Sequence, residues 1–168
     1  AVAAGYRLID TAANYGNEEG VGEGVRSCDQ PRSEILVSSK VWPEDLGYDR
    51  TRRSFEESLE RLGLEYMDLF LIHWPCSDEL NLASWKAMEQ LRTEGLVRNI
   101  GVSNFTAAHL EKLLAEATVP PLVNQVEFHP RFHDEDIHRY CSEKGIVVEA
   151  WSPLTQGGAL KDETLLRI

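Results

Sequence analysis

Residues 68–75 read Asp68-Leu69-Phe70-Leu71-Ile72-His73-Trp74-Pro75. Leu69 to Ile72 form an unbroken apolar run, too short for a free-standing helix and apolar on both faces. That pattern describes a strand buried between two layers, most often in a parallel sheet covered by helices. Pro75 cannot donate to a sheet ladder, so the strand ends near it. The run therefore delivers a titratable imidazole, His73, to the mouth of a buried strand, where α/β folds hold their chemistry.

Outward from this stretch the same unit recurs. Upstream, Ala1 to Ala4 read as the last turn of a helix stopped by Gly5, and Tyr6 to Asp10 as a strand ending in a carboxylate. Asn17 is placed to cap a helix running to about Ser27, and Glu34 to Lys40 form a strand ending in an amine. Asp49 to Leu62 carry Phe55, Leu59 and Leu62 on one helical face. Downstream, a helix over Leu82–Thr93 turns Trp85, Met88 and Leu91 inward, and Arg98 to Asn104 give a strand and its exit. Thr106 caps a helix to about Ala117, Leu122 to Phe128 form a strand, and Asp134 to Lys144 a helix stopped by Gly145. The last clear strand runs from Ile146 into Trp151-Ser152-Pro153, and Asp162 to Ile168 begin another helix.

Repeated strand, loop and helix without an intervening linker predict one domain of right-handed βα units, residues 1–168. Six strands fit either an open doubly wound sheet or an incomplete (β/α)8 TIM barrel. Polar residues at every strand end favour the barrel, because an open sheet gathers its site at one switch point. Gly20, Gly22 and Gly24 alternate inside a helix rather than in a strand-to-helix turn, which is not a phosphate loop.

The totals exclude several partners. A net charge of −11 without a basic cluster argues against nucleic acid and anionic membranes. No apolar run approaches the roughly 20 residues of a membrane span. Cys28, Cys76 and Cys141 are odd in number and far apart, fitting reduced thiols in the cytoplasm. The chain opens on Ala1, already within a helical pattern, and reads as truncated at both ends.

In a barrel, Asp10, Lys40, His73, Ser103, Asn104, Gln125, Trp151 and Ser152 share one rim, with Tyr15 a short loop beyond Asp10. Hydride addition to a carbonyl leaves an alkoxide that needs a proton. A phenol, with a reference pKa of about 10, is a poor donor near neutrality. A neighbouring ammonium stabilises the phenolate, and a carboxylate holds the ammonium in place.

These residues carry a resemblance. Gly5-Tyr6-Arg7-Leu8-Ile9-Asp10-Thr11-Ala12, Tyr15-Gly16-Asn17-Glu18, Ser39-Lys40-Val41-Trp42, Leu71-Ile72-His73-Trp74-Pro75, Ile100-Gly101-Val102-Ser103-Asn104-Phe105, Asn124-Gln125-Val126-Glu127-Phe128-His129-Pro130 and Trp151-Ser152-Pro153-Leu154 resemble, in order, the aldo-keto reductase family. Trp151 and the short connection after Pro75 are similar to the bacterial 2,5-diketo-D-gluconate reductase group. The resemblance implies a (β/α)8 barrel that reduces aldehydes and ketones of small molecules, keto-sugar acids among them. It implies NADPH as cofactor, with NADH the other nicotinamide option, and a monomeric full-length parent. By position it implies Tyr15 as proton donor, Lys40 and Asp10 as its tuning pair, and His73 as the group orienting the carbonyl. Ser103, Asn104 and Gln125 match the nicotinamide carboxamide contacts, Trp151 the ring stack, and Ser152 and Leu154 positions near the pyrophosphate. Trp42 and Trp74 match the substrate wall. The family's N-terminal hairpin, first strand and last strand have no counterpart here, and Thr155 stands where glycine is expected. The span alone is therefore expected to be inactive.

Competing chemistries are weaker. Lys40 as a Schiff-base amine leaves Tyr15 and Gln125 without roles. His129, His133 and His138 are loosely spaced as ligands, but no cysteine or carboxylate set completes a metal site. The alternative from another class is a non-catalytic remnant of the barrel that binds nucleotide or a partner only.

Overall fold

The structure, a computed structural model, describes residues 1–168. Six strands form one parallel sheet: β1 (Leu8–Asp10), β2 (Leu36–Val41), β3 (Met67–Ile72), β4 (Val97–Ser103), β5 (Val123–Glu127) and β6 (Val147–Trp151). They lie side by side in chain order, β1-β2-β3-β4-β5-β6, each parallel to the next. Between them run α1 (Glu18–Arg26), α2 (Tyr48–Leu62), α3 (Asp78–Thr93), α4 (Ala107–Glu116) and α5 (Glu135–Lys144). The sheet is curled. β1 and β5 are not ladder neighbours, yet Gln125 Nε2 of β5 lies 3.3 Å from Asp10 Oδ1 of β1. Six consecutive units of a (β/α)8 barrel describe this arc, and an open doubly wound sheet does not.

The period-2 alternation of the strands sorts the side chains. Val37 and Val41 of β2, with Phe70 and Ile72 of β3, join Phe55, Trp85, Met88 and Leu91 of the helices in the main core. Leu69, Leu71 and Val123 form a separate cluster on the concave face. Gly101 of β4 sits among them. A Cβ there would lie 2.7 Å from Leu71 Cδ2 and 2.8 Å from Val123 O, so the interior leaves no room for a side chain. The residues that alternate with the main-core set, Ser38 and Lys40 on β2, share the concave face with Asp10 and Gln125.

The helices seat closely where the sequence allows it. A Cβ at Gly22 of α1 would stand 1.9 Å from the carbonyl oxygen of Leu62, so glycine is required where α1 meets the end of α2. The Arg26 guanidinium donates to that same carbonyl, satisfying an orphan acceptor at a helix C-terminus. At the N-terminal end of β3, buried Asp68 accepts from Val37 N and pairs with Arg32 (2.7 Å) and Arg98 (3.1 Å). Both guanidiniums lie over the Tyr66 ring, at 4.2 and 4.1 Å from its centroid. This network is at the opposite end of the strand from His73, where barrels keep stability rather than chemistry.

Three local expectations change. α3 begins at Asp78, four residues ahead of Leu82, because Ser77 caps it through Leu80 N. Asn17 precedes α1, but its side chain makes no cap bond and accepts from Thr11 Oγ1 at 2.6 Å instead. Asp162 to Ile168 form no α-helix. Only a 3-10 turn over Leu165–Arg167 appears, as expected of one turn without a packed apolar face to support its nucleus. No helix is long and apolar enough to cross a membrane.

Candidate active site

All six strands end on the same rim. β1 stops at Asp10, and a polar loop enters a 3-10 turn over Ala13–Tyr15, which Gly16 closes at φ 66°. Tyr15 is thereby folded back over the strand ends. Lys40, near the end of β2, is fully buried, and its Nζ lies 2.6 Å from Asp10 Oδ2 and 2.9 Å from Thr11 O. Taking an ammonium out of water costs several kcal/mol unless it is paired and hydrogen-bonded, and both conditions hold here. Asp10 is steadied in turn by Ser38, whose Oγ donates to Oδ1 at 2.5 Å.

Lys40 Nζ lies 5.1 Å from the centroid of the Tyr15 ring. The Tyr15 ring meets His73 edge-on with centroids 5.6 Å apart, and Trp42 meets the other side of His73 at 5.0 Å. His73 follows β3, anchored by its N–H to Val41 O at 3.1 Å. Its Nδ1 is buried without a partner. Burial, reinforced by the Lys40 charge and partly opposed by Asp10, lowers the imidazole to a pKa of about 4. At neutral pH the ring is therefore an uncharged hydrogen-bonding group, not a cation.

Beside this set lies an amide cluster. Asn104 leaves β4 in the left-handed region, φ 62°, a conformation asparagine tolerates better than most residues. Its Nδ2 donates to His73 O and Ser103 Oγ, both at 3.0 Å, while its Oδ1 accepts from Trp151 Nε1 at 2.9 Å. Ser103 Oγ donates to Gln125 O at 2.8 Å. Gln125 Nε2 donates to Glu149 Oε1 at 2.7 Å as well as to Asp10. Ser103, Gln125 and Glu149 are direct register partners across β4, β5 and β6, so one cross-strand row builds this wall.

A half-open cavity of about 480 Å³ joins the two groups. Asp10, Tyr15, His73, Trp74, Ser103, Asn104, Gln125, Trp151 and Ser152 line it, together with Glu149 and Ala150. Lys40 lies beneath the lining and Trp42 behind His73. Leu154 is outside the cavity and half exposed. Glu149 is the residue that strand-end reasoning passes over. Its signal was its position two residues before Trp151, which puts both on one face of β6. Burial raises its pKa and Asp10 adds to that, against the Gln125 bond and Lys40. The histidines weighed for a metal have separate partners: His129 meets Glu127 at 3.3 Å and His133 meets Glu135 at 3.4 Å.

Comparison with known proteins agrees with this architecture. The chain is 53% identical over 168 residues to glyoxal reductase of Bacillus subtilis (strain 168), covering all of this chain and 60% of that protein. Among solved structures it superposes on MGS-M4, an aldo-keto reductase from a Medee basin deep-sea metagenome library, with TM-score 0.95 and 44% identity, over 99% of this chain and 62% of the other. A putative 2,5-diketo-D-gluconic acid reductase B gives TM-score 0.94 and 32% identity, covering 99% and 59%. The Bombyx mori aldo-keto reductase in complex with NADP gives 0.83 and 38%, covering 89% and 52%. The chain thus spans about 60% of the length of the curated relative it matches. The model of the Aldo/keto reductase family matches residues 1–167. By sequence, strand order and rim composition together, the chain belongs to the aldo/keto reductase family.

Proposed function

We propose that this chain is a single-domain span of a longer, cytoplasmic and monomeric reductase that uses NADPH to reduce aldehyde or ketone groups of small molecules. Keto-sugar acids are within the proposed substrate class. The observation that carries the reading is the fully buried Lys40, paired with the partly exposed Asp10 beside the Tyr15 ring, with an uncharged His73 at its side.

The seat for a nicotinamide fits its chemistry. A carboxamide needs both donors and acceptors, and Ser103, Asn104 and Gln125 bring a hydroxyl and two amides to one wall, next to the Trp151 indole. Gln125 Oε1 makes no bond within the protein, although Nε2 of the same amide makes two. Trp151 is the proposed stacking surface, and Ser152 and Leu154 the proposed neighbours of the pyrophosphate. When bound, the reduced nicotinamide supplies the hydride to the carbonyl carbon.

The chain's own residues do the rest. The Tyr15 hydroxyl, which has no hydrogen-bond partner within the protein, gives its proton to the carbonyl oxygen as negative charge develops there. Lys40 stabilises the phenolate that remains, and Asp10 holds Lys40 in place. His73, neutral at pH 7, orients the carbonyl oxygen without competing for the proton. Trp42 and Trp74 form the apolar side on which the substrate rests.

The test is Tyr15→Phe in the full-length parent, assayed for NADPH-dependent carbonyl reduction and for NADPH binding. Loss of a general acid costs about 10²- to 10⁴-fold in kcat. The expected result is that loss with an unchanged Kd for NADPH. A variant keeping more than about a tenth of the wild-type kcat removes Tyr15 from the role.

A further inference from the structure

An amide side chain can exchange its nitrogen and oxygen by a half-turn about its last torsion, so its neighbours decide which end faces a ligand. For Gln125 the neighbours are unequivocal. Nε2 lies 2.7 Å from Glu149 Oε1 and 3.3 Å from Asp10 Oδ1, and both are carboxylate oxygens. A reversed amide would set its carbonyl oxygen against two acceptors. Of the two, Asp10 is already committed: Oδ1 accepts from Ser38 and Oδ2 from Lys40. Glu149 makes the shorter contact, and the only hydrogen bond of its carboxylate is to Gln125. The two residues are register partners on adjacent strands and line the same cavity, so the contact is built by the sheet itself.

The other amide of the wall is fully engaged. Asn104 spends its donors on His73 O and Ser103 Oγ, and its oxygen accepts from Trp151. Gln125 Oε1 is therefore the amide acceptor that the wall leaves open. We infer that Glu149 is a positioning residue for the cofactor: it holds the Gln125 amide nitrogen inward, so that Gln125 Oε1 is presented to the cavity as the acceptor for the NH₂ group of a nicotinamide carboxamide. This rests on the nicotinamide site proposed above. Glu149 does not touch the cofactor; it acts through Gln125.

The experiment measures equilibrium binding to the full-length parent by quenching of tryptophan fluorescence. The two probes are NADPH and its reduced 3-acetylpyridine analogue, in which a methyl group replaces the carboxamide NH₂. Glu149→Met removes the acceptor and keeps the volume. It should weaken NADPH about five- to tenfold, the scale of one hydrogen bond, and change the analogue by less than about twofold. Glu149→Gln keeps an oxygen opposite Gln125 and should stay within about twofold of wild type for NADPH. Equal losses for both probes, or no loss for either, overturn the assignment of Glu149 and leave the nicotinamide site standing. Failure of the wild-type parent to bind NADPH overturns both. If Glu149→Met does not fold, hydrogen exchange in the wild type decides. The Gln125 side-chain amide protons, assigned by NMR, should exchange slowly before any cofactor is added, and exchange as fast as in a free glutamine overturns the inference.

Discussion

β3 and β6 are similar in composition and opposite in circumstance. All six residues of β3 are buried, whereas none of the five in β6 is. The difference comes from neighbours. β3 is flanked by β2 and β4 and roofed by Phe55, Trp85 and Met88, while within residues 1–168 β6 pairs with β5 alone. The candidate site straddles that contrast. Lys40 and His73 are fixed in the closed part, and Glu149 and Trp151 stand on the open one.

The contrast can be broken most forcefully at β3. Phe70 is fully buried and meets Phe55 edge-on at 5.0 Å, so Phe70→Ala should cost about 3–5 kcal/mol in urea unfolding. Val147→Ala, on an exposed position of β6, should cost less than about 1 kcal/mol. Similar losses at both sites would erase the distinction.

Next in size is Lys40→Met in the full-length parent. It should lower kcat about 100-fold or more and change its pH profile, since the charge beside Tyr15 is lost. Asp10→Asn should be milder, because the ammonium survives. A Lys40 variant with unaltered rate and profile would make the Lys40–Asp10 pair purely structural.

Trp151→Ala should weaken NADPH by about 1–3 kcal/mol, the value of a lost aromatic stack, with Trp151→Tyr tolerated. Unchanged affinity in the alanine variant, measured by fluorescence titration, would make Trp151 a packing residue only.

The smallest effect is read by titration. An imidazole lowered from 6.5 to about 4 binds fewer protons in the folded state than in the unfolded state between those values. His73 therefore contributes no pH dependence above about 6.5 and makes stability fall as pH drops from there toward about 4. NMR of the His73 ring should give a midpoint near the lower value. A midpoint above about 6 would show a solvated ring and place His73 with the open half.

How much of this was legible depended on the reach of the interaction. The buried run Leu69–Ile72, the Thr106 cap and the Gly145 stop are encoded within a few residues, and each appears where the sequence put it. The helix start at Ser77 was masked because Asp78 and Glu79 look like loop residues until the cap is recognised. The partner of Glu149 was hidden for a deeper reason. Alone it reads as a solvated strand residue, and only the register of β5 against β6 sets it opposite Gln125, 24 residues away. The proximity of Gln125 to Asp10, 115 residues apart, likewise requires the curl of the whole sheet.

Strand order that repeats chain order also bears on how the molecule assembles. Within residues 1–168 every ladder joins a strand to the next one in the chain. Loop closure for each pairing spans only one helix and its connections, which keeps the entropic barrier of each step low and favours fast, stepwise growth. Such an array behaves as a nearly one-dimensional chain of coupled units, each stabilised by those on either side. Among these six strands, amide protection against exchange should accordingly be highest in β3, whose residues are all buried.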